Sequence, residues 1–83
     1  MTDPIRVVLR KESDQWVGQC LEVDICVQAP DLDTLEGRLE VALECEDDPA
    51  TIGPAPKHYF DVWETARKIE SSRDSNIEMK LAA

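Results

Sequence analysis

The sequence has few of the residues from which catalytic and metal centres are built. Its 83 residues contain one histidine, His58, and three cysteines, Cys20, Cys26 and Cys45. The cysteines are odd in number and none belongs to a Cys-x-x-Cys pair, which argues against a disulfide framework and against a structural zinc site. The three glycines form no phosphate-binding loop. We therefore expect a protein that is not an enzyme and that uses no cofactor or metal.

Two alternatives to this expectation stay open. His58 and a cysteine together have the residue types of a nucleophile pair, although no spacing supports it. Glu22 and Asp24 stand two residues apart and offer oxygen ligands to a divalent cation. Two carboxylates are too few to specify the paired metal ions of an RNase H-like nuclease. The more ordinary interpretation is a solvated strand end and small buried thiols.

Long apolar runs are absent as well. No run approaches the roughly 20 residues that cross a membrane, and the residues after Met1 do not resemble a secretory signal.

Basic residues are scarce: nine Lys and Arg stand against 18 Asp and Glu, giving a net charge of -9. Because nucleic-acid binding depends on Lys and Arg, we expect no direct binding of DNA or RNA. We expect a cytoplasmic protein with reduced thiols, no membrane contact and, where it has a partner, a basic protein.

Alternating apolar residues predict three strands in the first third of the chain. Ile5, Val7 and Leu9 mark the first strand. The second runs from Gln15 to Leu21 and the third from Ile25 to Ala29, where a proline ends it. The second strand is apolar on both faces. It should therefore be covered on one side by the first helix, and on the other by the second helix or by another subunit.

The first helix is predicted from about Thr34 to Glu46. Asp33 and Glu36 have the spacing of a capping pair at its start. Its apolar stripe has helical spacing and consists of Leu35, Leu39, Ala42 and Leu43. A second helix is predicted from about Pro56 to Ser71, and a fourth strand over residues 77–81. The predicted fold is thus a single α+β domain over residues 1–83, with an antiparallel sheet in β-β-β-α-α-β order and both helices packed on it.

Like charges recur along the first helix. Glu36, Glu40 and Glu44 stand at successive i, i+4 positions, and each such pair is unfavourable by roughly 0.2–0.5 kcal/mol. One interpretation is a solvated acidic face. The other is a docking surface for a cationic protein, which makes these three glutamates the candidate partner-binding residues.

Self-association is the expected source of additional stability. A chain of this size buries only roughly 60% of the surface that its unfolded form exposes, and the sequence offers no disulfide framework in compensation. The simplest arrangement is a twofold homodimer. Large aromatic side chains are the candidate interface residues, namely Trp16, Tyr59, Phe60 and Trp63. The predicted sheet edges, the first and fourth strands, are a second candidate contact.

Three stretches together resemble a known family. They are Trp-Val-Gly-Gln-Cys-Leu-Glu-Val-Asp-Ile at residues 16–25, Gln-Ala at 28–29 and Leu-Asp-Thr-Leu-Glu at 32–36. This pattern resembles the HicB-like antitoxin superfamily. Pro-Ala-Pro at residues 54–56, ahead of an aromatic helix, is similar to a branch of short bacterial members.

The resemblance implies a truncated RNase H-like or double-stranded-RNA-binding-like domain, usually dimeric or higher. In toxin–antitoxin systems such a domain binds and blocks a small basic ribonuclease toxin, HicA. Because few residues follow Leu81, we expect no operator-binding segment, which is a departure from the pattern. The chain also has Glu-Val-Asp-Ile at residues 22–25 where many relatives have a Pro-x-x-Pro-Gly turn. The alternative implied by the same branch is a stand-alone interaction protein of unknown function without a toxin.

Overall fold

A computed structural model describes residues 4–45, 52–69 and 76–82 of the chain. Within these ranges the chain forms an α+β fold of five strands and two helices. In chain order the elements are β1 (Ile5–Glu12), β2 (Gln15–Cys20), β3 (Cys26–Ala29), α1 (Leu32–Cys45), α2 (Lys57–Thr65), β4 (Arg67–Ile69) and β5 (Ile77–Leu81).

The strands form one mixed sheet in the order β3-β2-β1-β5-β4. β2 is antiparallel to β1 and β3, and β4 is antiparallel to β5, but β5 runs parallel to β1. The prediction of a purely antiparallel sheet is therefore wrong for one pair. The predicted edges are wrong too, since β1 lies at the centre and the sheet ends in β3 and β4. Apolar alternation is the same for a strand of either direction, so the sequence pattern did not reveal this.

The predicted second helix is too long. α2 ends at Thr65, and Ala66 already has extended backbone angles, φ -78° and ψ 156°. Arg67–Ile69 then forms the edge strand β4, with Ile69 opposite Met79 of β5. The apolar residues keep helical spacing as far as Ile69, so the sequence pattern did not distinguish the three-residue strand β4 from a continuing helix. The predicted helix ends at Glu46 and Ser71 lie outside the described residues.

The prediction that the first helix covers one side of β2 is confirmed. On the other side, where the second helix or another subunit was expected, α2 packs on β1 and borders a groove over Val17 and Gln19. On the α1 side of the sheet lies a buried cluster formed by Val7, Leu9, Cys20, Ala29, Leu35, Leu39 and Met79. On the opposite, α2 side lies a second cluster, formed by Val8, Leu21, Ala55 and Trp63. The central sheet is therefore the middle layer of three, and each face of β1 contributes to a core.

The close approach of α1 to the sheet depends on Gly18 of β2. A Cβ atom at this position would lie 3.0 Å from Cδ2 of Leu35 and 3.3 Å from Cγ1 of Val7. Leu35 is fully buried, so it has little room to move away. The missing side chain at Gly18 is what lets the first turn of the helix rest on the strand.

The helix begins earlier than predicted, and its cap is a different aspartate. Oδ1 of Asp31 accepts a hydrogen bond from the Thr34 backbone N–H at 2.7 Å, and the Asp31 carbonyl accepts one from the Leu35 N–H at 3.0 Å. The Thr34 N–H beside the carboxylate also lowers the pKa of Asp31. The cap is thus intact at neutral pH and is lost as the pH falls through the lowered pKa. Asp33, the predicted cap, lies inside the first turn.

Substituting Gly18 by Val should lower the free energy of unfolding by about 1–3 kcal/mol, because the new side chain overlaps Leu35 in a filled core. Gly18→Ala should cost less than Gly18→Val. Urea unfolding of both variants measures the effect. Pairing Gly18→Ala with Leu35→Ala supplies the control: the double variant should lose less stability than the sum of the two single losses. Simple additivity would show that Leu35 is not the residue that Gly18 accommodates.

Candidate functional site

The three candidate glutamates occupy different environments on α1. Glu36 is only 2% exposed, whereas Glu40 is half-buried and Glu44 is exposed. The prediction of an exposed face formed by all three is therefore wrong for Glu36. Glu36 lies within roughly 60° of Leu39 around the helix, at the margin of the buried stripe. Glu40 and Glu44, which we call the acidic flank of α1, remain accessible to a partner.

A hydrogen bond from Arg38 orients α1 over the sheet. One Nη atom of Arg38 donates to the carbonyl oxygen of Gln28 in β3, so this side of α1 faces the β3 edge. Glu36 and Glu40 are each two residues from Arg38, or roughly 200° around the helix. Glu44, six residues on, lies at roughly 240°. Glu40 therefore points away from β3, toward the other half of the sheet, and Glu44 beside it points to solvent.

α1 packs mainly on β3 and β2. Three apolar side chains of the strands beyond it, Ile69 of β4 and Ile77 and Leu81 of β5, are only half-buried. They belong to the margin of the α1-side cluster. A partly covered apolar surface thus lies on the same side of the sheet as the acidic flank. A protein partner could meet both together, with carboxylates at one border and aliphatic side chains beside them.

The four candidate aromatic residues do not form one patch. Trp16 lies on the α1 side, with Nζ of Lys11 4.9 Å from its ring centroid. Tyr59, Phe60 and Trp63 lie on the opposite side, on α2.

Trp63 is 7% exposed and belongs to the core. Lys80 Nζ lies 4.4 Å from its ring centroid, and the Arg6 guanidinium carbon lies 6.0 Å away on the same face of the sheet. Two cations over one aromatic ring stabilise the docking of α2. Trp63 therefore helps to pack α2 on the sheet within one chain.

The segment before α2 is fixed to the sheet by backbone bonds. The Ala55 N–H donates to the Leu21 carbonyl at 3.0 Å, and the Gly53 carbonyl accepts from the Asp24 N–H at 2.9 Å. Gly53 has φ 79°, in the left-handed region that favours glycine. This anchoring sets the start of α2 and so the shape of a groove between α2 and the β1–β3 half of the sheet.

The groove has a volume of about 190 Å³. It is lined by Val8, Arg10, Val17, Gln19, Cys26, His58, Tyr59, Val62 and Ala82. It is smaller than ordinary ligand pockets of about 300–1,000 Å³. The structure thus brings His58 to the same groove as Cys26, but not to buried Cys20 or to exposed Cys45.

The chemistry of Cys26 does not favour a nucleophile. Burial raises the pKa of its thiol, and this outweighs the Arg10 guanidinium, which lowers it; Asp24 and Glu12 raise it further. A reactive cysteine needs a lowered pKa, because the thiolate is the attacking form. Burial also raises the pKa of Cys20, to about 12. All three cysteines are free thiols.

The two candidate metal carboxylates are held by different partners. Oε2 of Glu22 accepts from Nε of Arg6 at 2.5 Å, and its Oε1 accepts from the Arg6 backbone N–H at 2.8 Å. Oδ1 of Asp24 accepts from Nε2 of Gln19 at 3.0 Å. Within the described ranges no group of three or more His, Cys, Asp or Glu side chains is arranged to hold a metal ion. Glu22 and Asp24 thus stabilise the turn between β2 and β3.

Two residues of α1 were missed by the sequence interpretation. Arg38 sets the orientation of the helix, and Val41 is 59% exposed, on the side of α1 away from the apolar stripe. A helical projection of the sequence already separates Val41 from Leu35 and Leu39. An apolar residue outside the stripe is the sequence signal that marks Val41.

Comparison with protein-family models, with curated proteins and with solved structures found no match for this chain. Neither helix in the described part of the chain is long and apolar enough to cross a membrane.

Alkylation of Cys26 by iodoacetamide should be slow at pH 7 and should accelerate as the solution becomes more alkaline, because burial raises the pKa of the thiol and leaves it protonated at neutral pH. Site-resolved mass spectrometry of the modified protein measures the rate, with buried Cys20 as the unreactive reference. His58→Ala should leave the Cys26 rate unchanged within about twofold. A tenfold lower rate in that variant at pH 7 would show that the two side chains act as a nucleophile pair.

Proposed function

We propose that this chain is a HicB-like, antitoxin-type protein that dimerises and that binds and neutralises a small basic ribonuclease toxin. It acts by binding and not as an enzyme. The observation that carries the proposal is the acidic flank of α1, Glu40 and Glu44, on the same side of the sheet as the half-buried apolar residues of β4 and β5. A cationic protein matches the carboxylates, and the aliphatic surface gives it an area to bury.

The positions of the family-like residues support this proposal. The run at residues 16–25 falls in β2 and the turn after it, and the run at 32–36 opens α1. Both therefore lie in the part of the fold that positions the acidic flank. The Pro-Ala-Pro segment precedes α2, where Ala55 is bound to the β2 end. The resemblance thus extends over both layers that cover the sheet.

The charge of the chain supports a cationic partner. Its net charge is -9, and Arg38, the only basic residue of α1, lies on the other side of the helix from Glu36 and Glu40. Such a surface attracts a basic protein over a distance of about a Debye length, roughly 8–10 Å at physiological salt. Association should consequently be fast at low salt and slow as salt is added.

Charge reversal on the acidic flank should weaken the complex. The native partner is first obtained by purifying the tagged chain from its source cell and identifying what accompanies it. Glu40→Lys with Glu44→Lys should then lower the affinity at least about tenfold, or ~1.4 kcal/mol, chiefly through the association rate. Calorimetry and stopped-flow binding measure the two effects.

The matched control is Asp14→Lys with Glu64→Lys, which makes the same change of net charge at two exposed residues away from α1. It should bind nearly as the unmodified protein does. Equal losses in the two double variants would assign the effect to net charge alone and would remove the acidic flank from the interface. Purification without any basic companion would favour the stand-alone interaction protein instead.

The purified protein should not cleave RNA or DNA with Mg²⁺ or Mn²⁺. Hydrolysis by paired metal ions needs several converging carboxylates, and Glu22 and Asp24 are bound separately to Arg6 and Gln19. Any background cleavage should be equal in the Glu22→Ala and Asp24→Ala variants, which identifies it as contamination. Cleavage that disappears in either variant would make the protein a nuclease and would overturn the binding proposal.

A further inference from the structure

β3 is an edge strand whose outer backbone groups follow from its pairing with β2. The Cys20 N–H donates to the Ile25 carbonyl at 2.9 Å, and Gly18 lies opposite Val27. In an antiparallel pair, successive residues alternate between facing the partner strand and facing away. Val27 and Ala29 therefore bond to β2, and the N–H and C=O groups of Cys26 and Gln28 point outward from the sheet.

The side of α1 above this edge carries the most exposed of the large apolar side chains in the described ranges. Arg38 reaches the outward carbonyl of Gln28. Val41 and Cys45 follow Arg38 by three and seven residues, which places them within roughly 60° of it around the helix. Val41 is 59% exposed, and Cys45 is also exposed. We call Arg38, Val41 and Cys45 the edge flank of α1.

We propose that β3 and the edge flank of α1 together form a twofold interface with a second copy of this chain. The inference deepens the dimerisation that belongs to the proposed function, by naming the surface. An antiparallel β3–β3 pair centred on Val27 sets Cys26 of each copy opposite Gln28 of the other. All the outward backbone groups of these two residues then bond across the interface, giving four hydrogen bonds.

Other registers use these groups less well. Centring the pair on Cys26 sets Gln28 opposite Asp24, beyond the end of the strand. Centring it on Gln28 sets Cys26 opposite Pro30, which has no N–H to donate. The Gln28 carbonyl has two lone pairs. It can therefore accept from the second copy while it also accepts from Arg38.

The edge flank complements the same register. A twofold axis at Val27 brings the two α1 helices side by side and antiparallel, so that the edge flank of each copy faces that of the other and the exposure of Val41 falls.

The other edge of the sheet is poorly suited to self-pairing. β4 has three residues, and Arg67 and Lys68 are two of them. Two copies joined there would place these cations near their equivalents, which is unfavourable across strands. The β3 edge carries no charged side chain within the strand. A second copy is thus the occupant that the β3 edge fits, and Glu40, on the opposite flank of α1, stays outside this interface.

Cysteine cross-linking tests the register. In a background of Cys26→Ser and Cys45→Ser, Val27→Cys should form an intermolecular disulfide on mild oxidation, since the two Val27 positions form a close non-hydrogen-bonded pair. The matched control is Lys68→Cys at the β4 edge in the same background. At equal protein concentration, Val27→Cys should cross-link at least tenfold faster than Lys68→Cys. The reverse order would overturn the proposal.

Sedimentation equilibrium on the protein without any toxin tests the edge flank. Val41→Lys should weaken dimerisation at least tenfold, because the edge flanks of the two copies face each other and the added lysines repel, whereas an i, i+3 ion pair with Glu44 keeps the monomer helix stable. Thr65→Lys, at the exposed end of α2, should dimerise as the unmodified protein does. The proposal fails if the unmodified protein is a monomer at 100 µM or if Val41→Lys dimerises equally well. Because no toxin is present, neither result bears on the acidic flank.

Discussion

The contact between Leu35 and Gly18 is the constraint on which the rest of the structure depends. It lets α1 lie so close to β2 that a Cβ atom at residue 18 would be 3.0 Å from the leucine. With the first turn of α1 fixed there, Arg38 reaches the edge carbonyl of β3, and Glu40 is carried to the opposite flank. The two surfaces of α1 that we consider functional are therefore set by a packing contact that has no functional group in it.

The sheet contributes to two cores, and alternate residues of β1 belong to one core or the other. Val7 and Leu9 of β1 face α1, whereas Val8 faces α2. The α2 side is the more polar of the two, since Arg6 and Lys80 share it with Phe60 and Trp63. Both cations lie against aromatic rings, and Arg6 also forms an ion pair with Glu22. Two of the nine basic residues thus pack against aromatic rings inside the fold, in a chain whose carboxylates already outnumber its cations two to one.

Local patterns predicted the local features well. Period-two alternation identified the first three strands, and the leucine spacing identified α1 and the face that it buries. Burial of both faces of β2 also followed from the sequence, because Trp16 and Val17 point to opposite faces and both are apolar. The errors concern features about which alternation carries no information. The direction of β5 and the central position of β1 depend on how the chain returns to the sheet, and the pattern of Ile77, Met79 and Leu81 is identical for every such path.

The errors in the candidate site have a similar origin. Glu36, Glu40 and Glu44 were grouped because they share one side of a helix, but a side of a helix is buried or exposed according to where the sheet ends beneath it. Trp16 and Trp63 were grouped by residue type, although they belong to different layers. In each case the sequence supplied the residues, and the tertiary arrangement decided which of them share a surface.

The division of α1 into two flanks has a consequence for how binding and assembly can coexist. If one face of α1 bound both a second copy and a toxin, the two would compete for that face. Here Arg38 and Glu40 lie roughly 200° apart around the helix, so covering the edge flank leaves Glu40 accessible. Twofold pairing through β3 would then present two acidic flanks on one assembly, pointing away from the shared axis. A partner that contacted both acidic flanks would bind with higher affinity, because the second contact forms at a high effective concentration. Two separate partners would bind without obstructing each other.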